Sequence, residues 1–480
     1  MKNNHFSKLV DQHSENWKNR ETLAEAMIPI IGRLYRENNI ILTIYGRSLV
    51  NCSVIEILKL HRRVRMVDPY LSVTDTFPLL ASIKDLNIHS CKIDLGRLTN
   101  RFKKENVNLK SFLDANITNK LFNQPVDTST DVVLYGFGRI GRILARLLLE
   151  KNTNKEGLTL KAIVVRKRSD DDLHKRASLL RRDSIHGQFK GTISIDEDNE
   201  AIIANGNYIK IIYENNEEPL IDFSKFGISY ATLIDNTGKN RDTENLEKHL
   251  KCNGISKVIV TAPTGSSIKN IVYGVNHNQI ARSDKIISAA SCTTNAIAPI
   301  LHIIHNKFGI ESGHIETVHS YTNDQNLLDN YHKKDRRGRS AVINMVITET
   351  GAAEAIKSIL PELNGKITGS AIRVPTADVS IAILNLRLSS LSSKEEINEY
   401  VRQISNSELL QEQIDYTNST EVVSSDFIGS QTAGIFDAQA TIVNGNQITL
   451  YVWYDNEMGY SSQVLRITSK IAGIQYLNIQ

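Results

Sequence analysis

Apolar and polar positions follow two different rhythms along this chain, and the change falls near residue 130. Before it, Leu23, Met27, Ile31 and Leu34 recur at helical spacing within 21–37, interrupted by Pro29 and Gly32. Ser53 stands where an N-cap belongs for a helix running to Val64, with Ile57, Leu60 and Val64 on one face. The run Ile40 to Tyr45 fits a strand or a further helix, residues 68–128 carry short helical patterns, and the polar stretch 123–130 reads as a linker. Residues 1–128 are therefore expected to form a mainly helical extension, and they contain no motif that carries chemistry.

From Asp131 the rhythm becomes strand, turn and helix. Val132-Val133-Leu134-Tyr135 is a buried-strand run, Gly136-Phe137-Gly138-Arg139-Ile140-Gly141 follows at once, and Ile143–Leu149 is an apolar helix. That order is what a dinucleotide fingerprint requires. Gly136 permits the tight turn, Gly138 lets the backbone approach a pyrophosphate at the helix N-terminus, and Gly141 lets the helix lie close on the strand. A second strand, Leu160–Val165, completes a βαβ unit. Its end, where an acid would bind the ribose hydroxyls of NAD, reads Arg166-Lys167-Arg168. Three cations suit a 2′-phosphate and lean the site toward NADP or toward either cofactor; the alternative is that they only face solvent.

Further on, Lys285 to Asn295 passes from a strand into the apolar helical run Ala296–His305. Cys292 would stand at the start of that helix, where the dipole lowers a thiol pKa and free N–H groups can hold an oxyanion. Its neighbours Ser291, Thr293, Thr294 and Asn295 are polar, which a buried structural cysteine does not need. Thr317 to Thr322 places His319 on a strand, and a Cys with a separate His is the minimal thiolate pair.

The chain from Asp131 onward resembles the phosphorylating glyceraldehyde-3-phosphate dehydrogenase family. The likeness rests on Tyr135–Arg142, Asp183–Gly187, Ala289–Asn295, Val318–Thr322, Thr350–Ala353, Leu363–Gly369, Arg373–Thr376 and Trp453–Tyr460, in the family's order over about 350 residues. Residues 1–128 lie outside it.

The resemblance implies an α/β fold: a Rossmann domain at 131–291 that recovers a C-terminal helix 458–480, and a catalytic domain at 292–457 with a mostly antiparallel sheet. It implies Cys292 as nucleophile and His319 as its base. Thr322 and Arg373 would hold the substrate phosphate; Ser291, Thr293, Arg337, Thr350 and Gly351 would hold the attacking phosphate. Arg139 and Ile140 would line the pyrophosphate, Thr261 the ribose, Asn456 the nicotinamide carboxamide, and Tyr460 would pack beside the nicotinamide. A homotetramer is implied, with the loop 323–345 reaching a neighbouring subunit. Asn330-Tyr331 replaces the apolar pair of many NAD-specific members, which also points to NADP tolerance. An erythrose 4-phosphate dehydrogenase, or a non-catalytic relative that keeps the fold, are the competing implications.

Composition adds three limits. Cys52, Cys91, Cys252 and Cys292 form neither a disulfide framework nor metal-ligand spacing, so no metal is expected and a cytoplasmic setting is. No apolar run is long enough for a bilayer. The net charge of +4 is concentrated in residues 1–128, which hold 19 Lys/Arg against 13 Asp/Glu. So mild an excess reads as a solvated surface, not as a nucleic-acid partner.

Overall fold

The structure is a computed structural model that describes residues 2–64, 67–105, 107–121, 129–151, 157–214, 220–474 and 476–480. The chain divides into two compact units, the first made of residues 1–128, 153–156 and 475–480 and the second of the remainder.

In the first unit a single helix, Lys2–Asn38, runs straight through Pro29. The apolar stripe that begins at Leu23 explains its continuity: Met27, Ile31 and Leu34 are buried in the unit's core, and that packing outweighs the missing N–H of one proline. The helix Val54–Val64 starts as its sequence demands. The Ser53 N–H donates to Glu56 Oε2 at 2.8 Å and the Glu56 N–H donates to Ser53 Oγ at 3.3 Å, a reciprocal capping box. The ambiguous run resolves as a strand, Ile40–Ile44, pairing in parallel with Cys91–Asp94, a strand its sequence pattern does not announce. Most of the supposed linker lies outside the described residues.

One expectation is overturned here. The C-terminal helix ends at Ala472, capped by Gly473 in the left-handed conformation, and does not continue to 480. The strand Leu477–Ile479 instead pairs in parallel with Cys91–Asp94 and completes the four-stranded sheet of the first unit. Ile479 is buried in that core, and Arg97 Nη1 donates to Gln480 Oε1 at 2.6 Å. An apolar face with period two, matched to an open sheet edge, wins over helix continuation.

The second unit carries two eight-stranded sheets. In the first, six parallel strands run in the order Ile286–Ser288, Ile255–Val260, Ala231–Asp235, Thr130–Tyr135, Leu158–Val165 and Asn207–Tyr213. The antiparallel strands Ala201–Ala204 and Ile193–Asp196 extend its edge. The chain builds outward on one side of Thr130–Tyr135 and then on the other. The turn at Gly136 therefore opens at the topological switch point of the sheet, where such folds bind ligands. Helices Arg139–Lys151 and Met458–Ala472 pack together through Ile143, Leu147, Val464 and Ile467 in one shared core.

The second sheet is mostly antiparallel, in the order Val346–Thr348, Ile367–Val374, Ile310–Ser320, Ser380–Leu388, Gln447–Tyr454, Gly434–Asp437 and Ile414–Thr417, with Ile442–Asn444 as an eighth strand paired to Gln447–Tyr454. The apolar helix Cys292–Phe308 lies in its core. Among the described residues no helix is long and apolar enough to cross a membrane.

Candidate functional site

The glycine turn has the geometry its residues imply. Gly136 takes a φ of 99°. A Cβ on Gly141 would lie 2.6 Å from the Gly136 carbonyl oxygen and from Asn236 Oδ1, so only glycine fits; a Cβ on Gly138 would meet nothing within 4 Å. The space beside Gly138 is open, and the first turn of helix Arg139–Lys151 follows it, a helix N-terminus of the kind that can hold an anion.

The Arg139 side chain is placed otherwise than expected. Its guanidinium bonds Asp183 at 2.6 and 3.2 Å and Glu457 through Nε at 2.8 Å and through Nη2. Two carboxylates have taken the fork, and only the backbone of Arg139 is free for an anion. Against burial, which acts the other way, the N–H groups of His186 and Ile185 and the Arg139 fork hold the Asp183 carboxyl down at about 2.

The three cations Arg166, Lys167 and Arg168 are exposed at the end of strand Leu158–Val165. Asp172 accepts from the Arg168 N–H at 3.1 Å and is ion-paired with Arg176, whose guanidinium also bonds the Arg166 carbonyl at 2.8 Å. Thr261 donates through its N–H to the Asp235 carbonyl at 2.9 Å, at the end of the neighbouring strand.

Cys292 opens helix Cys292–Phe308, with Ser291 as N-cap accepting from the Thr294 N–H at 3.1 Å. The preceding Ala290 is held in the left-handed region at φ 54°, and Tyr460 donates to its carbonyl at 2.9 Å. Holding a side-chain-bearing residue there costs about 1–3 kcal/mol, and such strain fixes where the next residues point. His319 lies at the end of strand Ile310–Ser320. Its Nδ1 donates to the Ser320 carbonyl at 2.7 Å, which leaves the Nε2 lone pair facing Cys292 Sγ at 3.6 Å.

Burial pushes the Cys292 thiol up, with the Arg373 charge opposing it, and burial and Arg373 push His319 down to about 3. The helix terminus alone thus does not produce a resting thiolate. Both shifts run against a thiolate–imidazolium pair, so a compensating charge beside Sγ and Nε2 favours proton transfer between them.

Arg373 is the register partner of His319 on the parallel strand Ile367–Val374. Its Nη1 donates to the Ser320 carbonyl at 2.9 Å and to Thr322 Oγ1 at 3.0 Å, while its buried Nε has no partner. Thr322 donates in turn to Asp324, which receives Arg337 Nη1 at 2.6 Å. Arg337 also bonds Thr348 Oγ1 at 3.0 Å. Thr350 Oγ1 accepts from the Ala352 N–H at 3.2 Å, and Gly351 is the N-cap of helix Ala352–Ile359.

Several contributors were not legible as such. Tyr454 bonds Thr293 Oγ1 at 3.0 Å and meets the His319 ring edge-on. Ser320 and Ser380 donate to Asn456 Oδ1 at 2.8 and 2.9 Å, which orients the amide nitrogen of Asn456. The runs around Asp183 and Trp453 stood out in the sequence, but the joining of Arg139, Asp183 and Glu457 needs residues more than 300 positions apart.

Residues 130–243 match the family described as glyceraldehyde 3-phosphate dehydrogenase, NAD binding domain, and residues 291–456 match its C-terminal domain. A glyceraldehyde-3-phosphate dehydrogenase-like protein of Pseudomonas aeruginosa (strain UCBPP-PA14) is 56% identical over 455 residues, covering 93% of this chain and 98% of that protein. So long an alignment takes in most of the N-terminal unit. The plasmid-encoded glyceraldehyde-3-phosphate dehydrogenase of Cupriavidus necator is 39% identical over 338 residues, 70% of this chain and 96% of that protein. The enzyme of Clostridium pasteurianum is 38% identical over 351 residues, 72% of this chain and 99% of that protein.

Proposed function

Because the chain belongs to the glyceraldehyde 3-phosphate dehydrogenase family, we propose that it oxidises glyceraldehyde 3-phosphate, with inorganic phosphate and a nicotinamide dinucleotide, to 1,3-bisphosphoglycerate. The observation that carries this reading is Cys292 Sγ at 3.6 Å from His319 Nε2, with Arg373 beside both.

In this reading His319 takes the thiol proton as Cys292 adds to the aldehyde carbon, returns it to the alkoxide so formed, and takes the hydroxyl proton as the hydride departs. The bound nicotinamide supplies one thing, a hydride acceptor, and Cys292 is left as a thioester. A phosphate oxygen then attacks the thioester carbonyl, the C–S bond breaks, and the thiolate recovers its proton through His319. The guanidinium of Arg373 and the hydroxyl of Thr322 bind the substrate phosphate. Ser291, Thr293, Arg337, Thr350 and Gly351 bind the attacking phosphate, the last two at a helix N-terminus.

For the cofactor, Gly136, Gly138 and Gly141 and the N–H groups of Arg139 and Ile140 hold the pyrophosphate. Thr261 faces the ribose, Asn456 donates to the carboxamide, and Tyr460 backs the nicotinamide. The exposed Arg166, Lys167 and Arg168 favour acceptance of NADP as well as NAD. A homotetramer is supported by exposed apolar side chains on the loop 323–345: Leu327, Leu328, Tyr331, Ile343 and Met345.

Steady-state oxidation of glyceraldehyde 3-phosphate, with and without phosphate and with each cofactor, tests the whole. Phosphate-dependent reduction of either cofactor is expected. No reduction of either sinks the reading, faster turnover of erythrose 4-phosphate replaces the substrate, and rejection of NADP removes the role of the cation triplet.

A further inference from the structure

Three groups far apart in sequence converge beneath the cofactor corner. His186 follows the Asp183 turn, Asp378 lies between strands Ile367–Val374 and Ser380–Leu388, and Glu457 precedes helix Met458–Ala472. His186 Nε2 is 3.1 Å from Glu457 Oε2 and 3.5 Å from Asp378 Oδ2, and all three donor atoms lie within 4.8 Å of one another. The side chains are 2, 0 and 12% exposed for His186, Asp378 and Glu457.

We propose that His186, Asp378 and Glu457 form a buried site for one divalent cation of the zinc type, bound through one imidazole nitrogen and two carboxylate oxygens.

Asp378 is the least satisfied of the three. Both of its oxygens are buried, no side chain donates to either, and only the adjoining Val379 N–H approaches the carboxylate; His186 Nδ1 also has no partner. A wholly buried carboxylate with so few donors costs several kcal/mol, and such groups persist only when something neutralises them. Among the surrounding charges only His186 faces Asp378, and Glu457 draws on that same imidazole. Asp183 and Glu457 share Arg139, and Asp455 accepts N–H groups from Gly429, Glu457 and Met458. A protonated His186 can serve Glu457, but its single Nε2–H cannot also reach Asp378, 3.5 Å away.

Coordination resolves what hydrogen bonding does not. Metal–ligand bonds of about 2.0–2.1 Å at a tetrahedral centre put ligand atoms about 3.3 Å apart. The observed 3.1 and 3.5 Å bracket that spacing. An imidazole with two carboxylates is a donor set suited to zinc and its divalent neighbours, with water completing the shell. The Arg139 fork on Glu457 is then an outer support that orients a ligating carboxylate. A cation here pins the segment 183–187 to the corner that carries Asn456, so its role is architectural.

The test uses full-length protein carrying Cys292→Ser, because the active-site thiol is itself a metal ligand. Cobalt(II) is titrated into chelator-treated protein and followed by visible absorption. One equivalent is expected to bind with four- or five-coordinate d–d bands and no thiolate charge-transfer band. Adding Asp378→Asn, an isosteric change, is expected to weaken binding at least tenfold, and His186→Asn likewise. Circular dichroism shows whether each variant is folded; if neither is, the single-substituted protein decides, since nitrogen and oxygen donors alone in its X-ray absorption spectrum support the site. No bound cobalt, or binding unchanged in a folded Asp378→Asn protein, overturns the proposal. So does a thermal midpoint that responds to pH and not to metal, which would mean that a proton, not a cation, neutralises Asp378.

Discussion

His319 and Arg373 face each other across two parallel strands, joined in register from Gly313↔Ile367 to Ser320↔Val374. The pairing sets a base and an anion receptor side by side at the strand ends, next to Cys292. It also accounts for the low His319 pKa, since a buried imidazole beside a guanidinium cannot easily gain a second positive charge.

Replacing Arg373 by Lys keeps a charge but loses the planar guanidinium whose Nη1 bonds both Ser320 and Thr322. Charge-assisted hydrogen bonds contribute about 1.5–3 kcal/mol each, so KM for the phospho-aldehyde should rise roughly 10- to 100-fold. KM for the cofactor should stay within about twofold, because Arg373 is not among the groups assigned to it. Initial-rate kinetics with each substrate varied separate the two, and equal losses in both would remove Arg373 from the substrate site.

His319 gives a signed pH prediction. Its folded pKa, about 3, lies below the ordinary value of 6.5. The unfolded chain therefore binds a proton that the folded chain refuses, and the stability at stake is present above pH 6.5 and lost as pH falls toward 3. His319→Asn removes this term, so its acid-unfolding midpoint, read by tryptophan fluorescence, should move to lower pH than that of the unaltered protein. The same substitution should cut turnover by about 100-fold or more, as expected for loss of a general base.

The second and third glycines of the turn should respond differently to alanine. Gly141→Ala places a Cβ against the Gly136 carbonyl and Asn236, an overpacking that costs about 1–3 kcal/mol and lowers the thermal midpoint. Gly138→Ala meets nothing in the protein, so stability should hold while dinucleotide affinity falls. Differential scanning calorimetry beside equilibrium cofactor titration distinguishes them. Unchanged affinity in Gly138→Ala would mean that the backbone there does not approach a ligand.

Strand Leu477–Ile479 can be deleted with residues 476–480. The sheet of the first unit then loses its last parallel strand, the buried Ile479 and the Arg97 contact to Gln480. Rapid tryptic cleavage within residues 1–121, with the second unit resistant, is the expected gel pattern. Equal resistance of both units would show that the strand is dispensable.

What the sequence determined by itself is local in origin. The turn Gly136–Gly141 depends on residues that must lack a side chain, and Ser53–Glu56 and Ser291–Cys292 are helix starts written in adjacent positions. The apolar runs Val132–Tyr135, Ile143–Leu149 and Leu160–Val165 were likewise enough for the first βαβ unit, because strand and helix periods differ within a few residues, whereas the two-sheet order of the second unit was an implication of the family resemblance. Tertiary structure alone decided the rest. Whether the Arg139 side chain meets two carboxylates, and which way the Cys292 pKa moves, depend on burial and on charges brought in from remote strands. The fate of residues 477–479 was settled by an open edge at Cys91–Asp94, nearly 400 positions away. Asp378, His186 and Glu457 show the same limit: each is unremarkable in its own stretch of chain, and only folding brings them within reach of one ion.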